Sequence, residues 1–582
     1  MRTSERSSFS LPLIISLLFA FFLFNSCAEE VTPDPSEEAI TANSSSNNSI
    51  LKTFIKGAAL NAANGIDIGE DGNLYVASVN GAEIVVMNKN NGKILERFGA
   101  SSGVLGPDDL VIGPDGTIYW TDILTGFVGR MTADGVQLGY QFVAPGVNPI
   151  TFSDDGRLFV ALDFLGDGLY ELDPELMDPP RPIIEATPGN PFPLGFFNSF
   201  DFGEDGLLYG PLFAAGLVIK VDVGNPGDPV STNPFVDGTA QVVAGGFFNP
   251  AAAKFGPDGL LYVLDQTGEV SQVDVTNGNK TLFTTIEPGL DNMVFDDDGT
   301  LYMTNNDQGW VAEILPSGQA RYISPGGMIL PQGLAVIGES LFEADLFNLR
   351  EFDTRSGQQL DIYRGALVPA PGEPSLILPM NVSADGDNLV ITSWFSSGVQ
   401  VWNPDLGVLE NYPDVIVPID AERVNGQIVV SDDGLGGVVY ASNNQLILPL
   451  TVSSGLVSDG NTLLWAADYI TGDIWEIDFG TNPPTTSIAI SGLVNPEGLA
   501  FDNEGRLLIV EAGEANRLSR VDLPSGETTP EIIVEGLDLF GPGLGAPPTW
   551  GFDAVAVGEN GDVFISGAGA TVVYRILKSK LK

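Results

Sequence analysis

Side chains bearing amide or carboxylate oxygens recur just ahead of apolar runs along the whole chain. In the first half these leading positions are Asn64, Asp109, Asn148, Asn198, Asn249 and Asn292; in the second they are Gln332, Asn381, Glu422, Ser454, Glu497 and Asp553. Gathered around one opening, such oxygens suit Ca²⁺, which takes about six to eight oxygen ligands. A carboxylate pair such as Glu422 and Glu497 has the chemistry of a general acid and base. The competing role for each Asn is a cap that bonds loop backbone, and repetition in every unit is what a structural role predicts. The chain has no His and a single Cys, Cys27. Imidazole catalysis, Cys/His zinc sites and a disulfide framework are therefore excluded.

The elements that must position these residues are repeated. Asn64 opens an apolar run, an Asp71-Gly72 turn and a second apolar run, and the same order returns at Gly116, Gly156, Gly206, Gly259 and Gly299, spaced 44, 40, 50, 53 and 40 residues apart. More worn copies carry Gly338, Gly386, Gly426, Gly460, Gly505 and Gly561. Each unit has four strand signals, and its inner strands are apolar enough to be buried on both faces. Gly after Asp supplies the positive φ of a tight hairpin, so most acidic residues in these turns are turn chemistry. Twelve units of about 44 residues match four-stranded propeller blades. The expected fold is all-β, twelve blades arranged as two tandem six-bladed β-propellers.

Strand phase suggests how the rings close. Unit twelve runs out after Thr571–Leu577, and a spare strand, Ile50–Ile55, precedes unit one. The stretch Gln319–Ser324 stands between units six and seven. If Ile50–Ile55 closes blade six, Gln319–Ser324 can close blade twelve, giving a first propeller over 50–317 and a second over 318–582. The rival is one large ring in which Ile50–Ile55 pairs with blade twelve.

The N-terminus has the form of a targeting segment: Arg2 and Arg6 precede an apolar stretch from Leu11 to Phe24, too short for a stable membrane span. Residues 1–26 read as a lipoprotein signal peptide, with Cys27 as the lipidation site. Residues 27–49, acidic and then Ser/Asn-rich, read as a flexible tether. The formal charge of -51 repels nucleic acid and anionic lipid, so contact with a membrane is expected through the lipid only.

Some motifs resemble known propellers. Tyr119-Trp120-Thr121-Asp122 resembles the signature of YWTD propellers, with a worn copy at Leu464–Asp468. Asn495–Asp502 is similar to the opening of an NHL blade, and Asn64-Gly65-Ile66 to a blade start in the gluconolactonase/regucalcin (senescence marker protein) family. Glu29-Glu30 after Cys27 resembles the surface-export signal of Bacteroidetes lipoproteins, implying the cell surface. The gluconolactonase resemblance implies a divalent cation held by a Glu, Asn-type ligands and an Asp. The nearest matches are Asp109, Asn148 and Asn198 in the first ring, and Asn381, Glu497 and Asp553 in the second. Glu422, Glu497 and Asp553 are the candidate catalytic groups, and Trp394, Trp550 and Phe347 could line the same mouth. Two functions are open: a lipid-anchored binding module for an extracellular ligand or protein partner, or a calcium-dependent lactonase. The binding module is the favoured expectation.

Overall fold

The computed structural model describes residues 50–581 apart from 316, 367–374, 524–525, 527 and 540–547. Cys27, the targeting segment and the tether lie outside the described residues. Among the described residues, 48 strands form twelve four-stranded antiparallel sheets, each one blade. All twelve turn glycines flagged in the sequence adopt positive φ, from Gly72 at 73° to Gly561 at 81°. The neighbouring acids serve these turns: Asp71, Asp115, Asp205, Asp258 and Asp298 each accept a backbone N–H two residues on. Just before several turns a second glycine makes room for a tyrosine. A Cβ on Gly69 would stand 2.5 Å from the Tyr75 ring, and one on Gly113 2.9 Å from Tyr119.

The chain forms two compact bodies, Gly57–Ile329 and Leu330 to the C-terminus joined by the strand Leu51–Lys56. In the first body the innermost strand of blade 1, Ala63–Ile68, lies against Pro107–Ile112 of blade 2 and Leu290–Phe295 of blade 6. In the second, Leu334–Ile337 of blade 7 lies against Asn381–Asp385 of blade 8 and Val555–Val557 of blade 12. Each body is thus a closed ring of six blades. Apolar side chains fill the wedges between blades, as where Tyr75, Ala77 and Ile84 of blade 1 meet Leu110, Ile118 and Trp120 of blade 2.

The closing strands differ from the expectation. Ala320–Ser324 pairs with Val311–Ile314 and completes blade 6, while Leu51–Lys56 pairs antiparallel with Val572–Ile576 and completes blade 12. The boundary therefore falls after Ile329 rather than at 317/318, and residues 51–56 belong with the second ring. The physical reason is locality. Ala320 follows Ile314 through a short turn at Gly318, so its hairpin forms at little cost in loop entropy. Among the described residues no strand follows Val572–Ile576, and Leu51–Lys56 takes that edge. Phe54 packs on Phe564 at 5.4 Å between centroids, and the Arg575 guanidinium lies 4.8 Å from the Phe54 ring.

Candidate functional site

Strand register sorts the axial residues into levels. Ala63 pairs with Ser78 and Ile66 with Val76, and the same pattern holds at Pro107/Asp122 and Leu110/Trp120, and at Leu290/Asn305 and Met293/Met303. The rim level of the first ring is accordingly Asn64, Asp108, Asn148, Asn198, Ala251 and Asp291. The second level is Gly65, Asp109, Pro149, Ser199, Ala252 and Asn292. Two residues further along, the inner level holds Asp67, Val111, Thr151, Asp201, Lys254 and Val294. The first two levels are merged in the sequence pattern: Asp109 and Asn292 lie one residue deeper than Asn64, Asn148 and Asn198, and Asn249 lies two residues before the rim. It missed the rim carboxylates Asp108 and Asp291, because the Asn pattern drew the eye one residue along.

Hydrogen bonds tie the levels of the first ring together. Asn64 Nδ2 donates to Asp108 at 3.1 Å, and Asn148 Nδ2 to Asn198 Oδ1 at 3.4 Å. Asn292 crosses the axis: its Nδ2 donates to Asp109 on blade 2 at 3.0 Å, and its Oδ1 accepts from Ser199 on blade 4 at 2.9 Å. Asp109 also accepts from the backbone N–H groups of Leu110 and Ile150. Below this knot the Lys254 ammonium donates to the Phe200 carbonyl at 2.9 Å. Its charge lowers the carboxyls of Asp67, Asp109 and Asp201. Burial still dominates, pushing Asp109 to about 6 and, with the charge of Asp109, Asp108 to about 8. Asp163 and Asp291 are also driven well up by burial.

The YWTD residues serve the scaffold. Trp120 is fully buried. The Thr121 hydroxyl donates to the Asn148 carbonyl of the next blade at 2.6 Å, and Asp122 accepts from Gly106 N–H and Tyr140 O–H. Equivalent hydroxyls join blade 6 to blade 1 (Thr304 to Asn64 O, 2.6 Å) and blade 9 to blade 10 (Ser431 to Ser454 O, 2.5 Å). Most carboxylates at the ends of second strands cap backbone in the same way: Asp265, Asp345, Asp432, Asp468 and Glu511 each accept from the loop that leads into their own blade.

In the second ring the rim is Gln332, Met380, Ile419, Ser454, Glu497 and Asp553, and the second level Gly333, Asn381, Asp420, Gly455, Gly498 and Ala554. The inner level is Ala335, Ser383, Glu422, Val457, Ala500 and Ala556. Gln332, Ser454, Glu497 and Asp553 stand at the rim as expected. Asn381 lies at the second level and Glu422 at the inner level, so the structure does not pair Glu422 with Glu497. The partner of Glu497 is Asp553, whose backbone N–H donates to its Oε2 at 2.9 Å. Both are fully buried, and burial followed by the charge of Asp553 drives the Glu497 carboxyl well up. Among the described residues, Gln332 at both amide atoms and the Ser454 hydroxyl find no protein partner.

A segment ahead of blade 12 covers this rim. The Thr549 hydroxyl donates to Asp433 on blade 9, three blades away, at 3.3 Å. Trp394 on blade 8 donates its indole N–H to the Trp550 carbonyl at 3.1 Å, and the two indoles stack at 4.2 Å. The two tryptophans expected at the mouth thus meet each other.

Beneath, at the second and inner levels, lies an axial cavity of about 650 Å³. Its lining reaches the hairpin turns at Gly386, Gly426 and Gly460, so it opens at that end. The polar wall is chiefly that of blades 8 and 9, Asn381, Ser383, Asp385, Asp420, Glu422 and Arg423, with Ser458 and Asn461 of blade 10 at the turn end. Asp420 is saturated by Ala421 N–H, Leu456 N–H and the Ser383 hydroxyl. Arg423 binds Asp385 at 2.7 Å and Glu410 at 2.7 Å. Glu422 has no hydrogen-bond or salt-bridge partner among the described residues. Burial first, then the charges of Asp420 and Asp385, holds its carboxyl well above the usual range. Asn381 is 2% exposed; its Oδ1 accepts from Val382 N–H, and its Nδ2 faces no protein acceptor. Among the described residues, no three His, Cys, Asp or Glu side chains gather as a metal site.

No protein-family model matches the chain, and no curated protein matches it. Solved structures do resemble it. Virginiamycin B lyase from Staphylococcus aureus is 15% identical over 51% of this chain and 95% of its own, with a TM-score of 0.35. A gluconolactonase from Xanthomonas campestris is 14% identical over 44% and 86%, with a TM-score of 0.35. The extracellular domain of a B. thetaiotaomicron protein described as a one component system is 11% identical over 92% and 78%, with a TM-score of 0.33. At identities this low the resemblance is one of β-propeller architecture alone.

Proposed function

We propose that the protein is a lipid-anchored, extracytoplasmic binding propeller that holds a small polar solute in the axial cavity of its second ring. The observation that carries this is the cavity of about 650 Å³ into which Glu422, with no partner of its own, is turned. A concave site with convergent polar groups is the usual form of a ligand pocket. Cys27 is the proposed anchor and residues 27–49 the tether that carries the rings away from the membrane. The calcium-dependent lactonase reading has less support, because Glu497 and Asp553 are fully buried.

Thermal melting of the mature chain against a chemically diverse panel of small solutes tests the reading, since a ligand of the native state raises the melting temperature. Ala500 is half-buried, lines the cavity and is small. Solutes that stabilise the native chain should lose their effect in Ala500→Trp. Stabilisation that survives this substitution would place the ligand elsewhere. Turnover of lactones dependent on calcium and abolished by Glu497→Gln would favour the enzyme instead.

A further inference from the structure

The cavity is two-sided, and its sides differ in kind. Blades 8 and 9 present three carboxylates, Asp385, Asp420 and Glu422, against one cation, Arg423, which is already committed to Asp385 and Glu410. Blades 7, 10, 11 and 12 present Leu334, Val336, Leu456, Val457, Phe501 and Val555, with Ser458 and Asn461 of blade 10 confined to the hairpin-turn end. A neutral polyol would leave its hydroxyls without partners on that apolar side, which is costly. An inorganic cation would leave the apolar side without a role, and the carboxylates do not gather as a metal site. An ammonium group carried on an apolar body satisfies both walls.

Resting on the binding reading above, we infer that the solute is a small organic cation: a protonated amine carried on an apolar body. The ammonium stands at Glu422 and the apolar body against Val457 and Phe501. The groups facing Glu422 are Asp420 on its own strand and Asp385 from blade 8, with Arg423 held by Asp385 and Glu410. Without ligand that setting favours a proton on Glu422. An ammonium replaces the proton, so binding releases H⁺ and strengthens as pH rises.

The test uses the full mature chain and two isosteric probes, 2-amino-1-phenylethanol and 1-phenyl-1,2-ethanediol, measured by calorimetry. The amine is expected to bind at least about 10-fold tighter than the diol, and Glu422→Gln to weaken the amine by about 30-fold while leaving the diol unchanged. The native chain should release protons on amine binding, read as a buffer-dependent heat, and this second readout needs no variant. Equal affinity for the two probes, an amine affinity untouched by Glu422→Gln, or no amine binding at about 10 mM would overturn the inference. If the diol alone binds, and Ala500→Trp abolishes it, the cavity reading stands and only the charge assignment falls. If both probes bind Ala500→Trp as well as the native chain, the cavity reading falls too.

Discussion

The two rings are built from the same blade, yet their axes differ. In the first ring Asn292, Asp109 and Ser199 knot together across the axis, and Lys254 sits among Asp67, Asp109 and Asp201 below. In the second ring the same second-level positions are Gly333, Gly455, Gly498 and Ala554 on four of six blades, and the inner level is mostly Ala, Ser or Val. Side chains that would meet across the axis are absent, and a cavity of about 650 Å³ remains. The glycines are also demanded by the backbone: a Cβ on Gly333 would stand 2.5 Å from Asn381 Cα, and one on Gly455 2.2 Å from the Glu497 carbonyl. Close approach of inner strands and an open axis therefore arise from the same residues. A ring stabilises itself with polar side chains across its axis, or leaves polar groups facing space.

Breaking the latch should produce the largest difference between the rings. Removing residues 50–56 from the mature chain leaves Val572–Ile576 as an unpaired edge and exposes Phe564. The second ring should lose on the order of 5 kcal/mol, a fall of roughly 10–20 °C in its calorimetric transition, with the first ring unchanged. An equal loss in both rings would contradict their separate closure.

The pH dependence comes next. Folding raises Asp108 to about 8 and Asp109 to about 6 in the first ring, and Asp420 to about 7 and Asp433 to about 6 in the second, each mainly by burial. In the unfolded chain these groups ionise near 3.8, so between that value and the folded value the native state holds more protons. Stability must then fall as pH rises, by up to about 1.4 kcal/mol per pH unit for each such proton. Both transitions should drop from pH 5 to pH 8. Asp108→Asn should flatten the slope of the first ring alone; a slope that stays unchanged would mean Asp108 titrates normally.

Lys254→Met should cost the first ring about 2 kcal/mol, since it leaves Asp67, Asp109 and Asp201 without their cation. Lys254 is part-buried, which keeps the figure below that of a fully buried ion pair. Urea denaturation would measure it, and a loss under about 0.5 kcal/mol would show that the backbone N–H groups alone hold these carboxylates. The smallest effect is a gain. Ala500→Leu at the cavity wall should stabilise the second ring by about 0.5–1 kcal/mol. A destabilised second ring would mean the wall has no room to spare.

Much of this was legible beforehand at the level of the blade. Gly72, Gly116 and their ten counterparts marked the first hairpin of every blade, because a tight turn there demands positive φ and the demand is local. The fourfold strand pattern gave the blade count, and six blades to a ring followed from it. Where partners are distant in sequence, legibility failed. The latch strands were exchanged, since two edge strands of similar composition fit either gap until the chain connection decides. The axial levels were misread by one residue at Asp109 and Asn292, and by three at Glu422. A strand's register is fixed only by its neighbour, and a shift of one turns a side chain to another face. Glu497 and Asp553 share one rim, as the blade pattern places them, but their full burial and their mutual contact depend on strands from two blades.

The sequence by itself determined the blades, their turns and their number, because hydrogen-bonded hairpins and alternating apolar strands are specified over about 40 residues. Tertiary structure alone decided which strand closes each ring, which side chains share a level, and that one axis is filled while the other is open. Those outcomes depend on six separate strands arriving at one axis, where the volume of a few side chains from distant blades adds up to a knot or to a cavity.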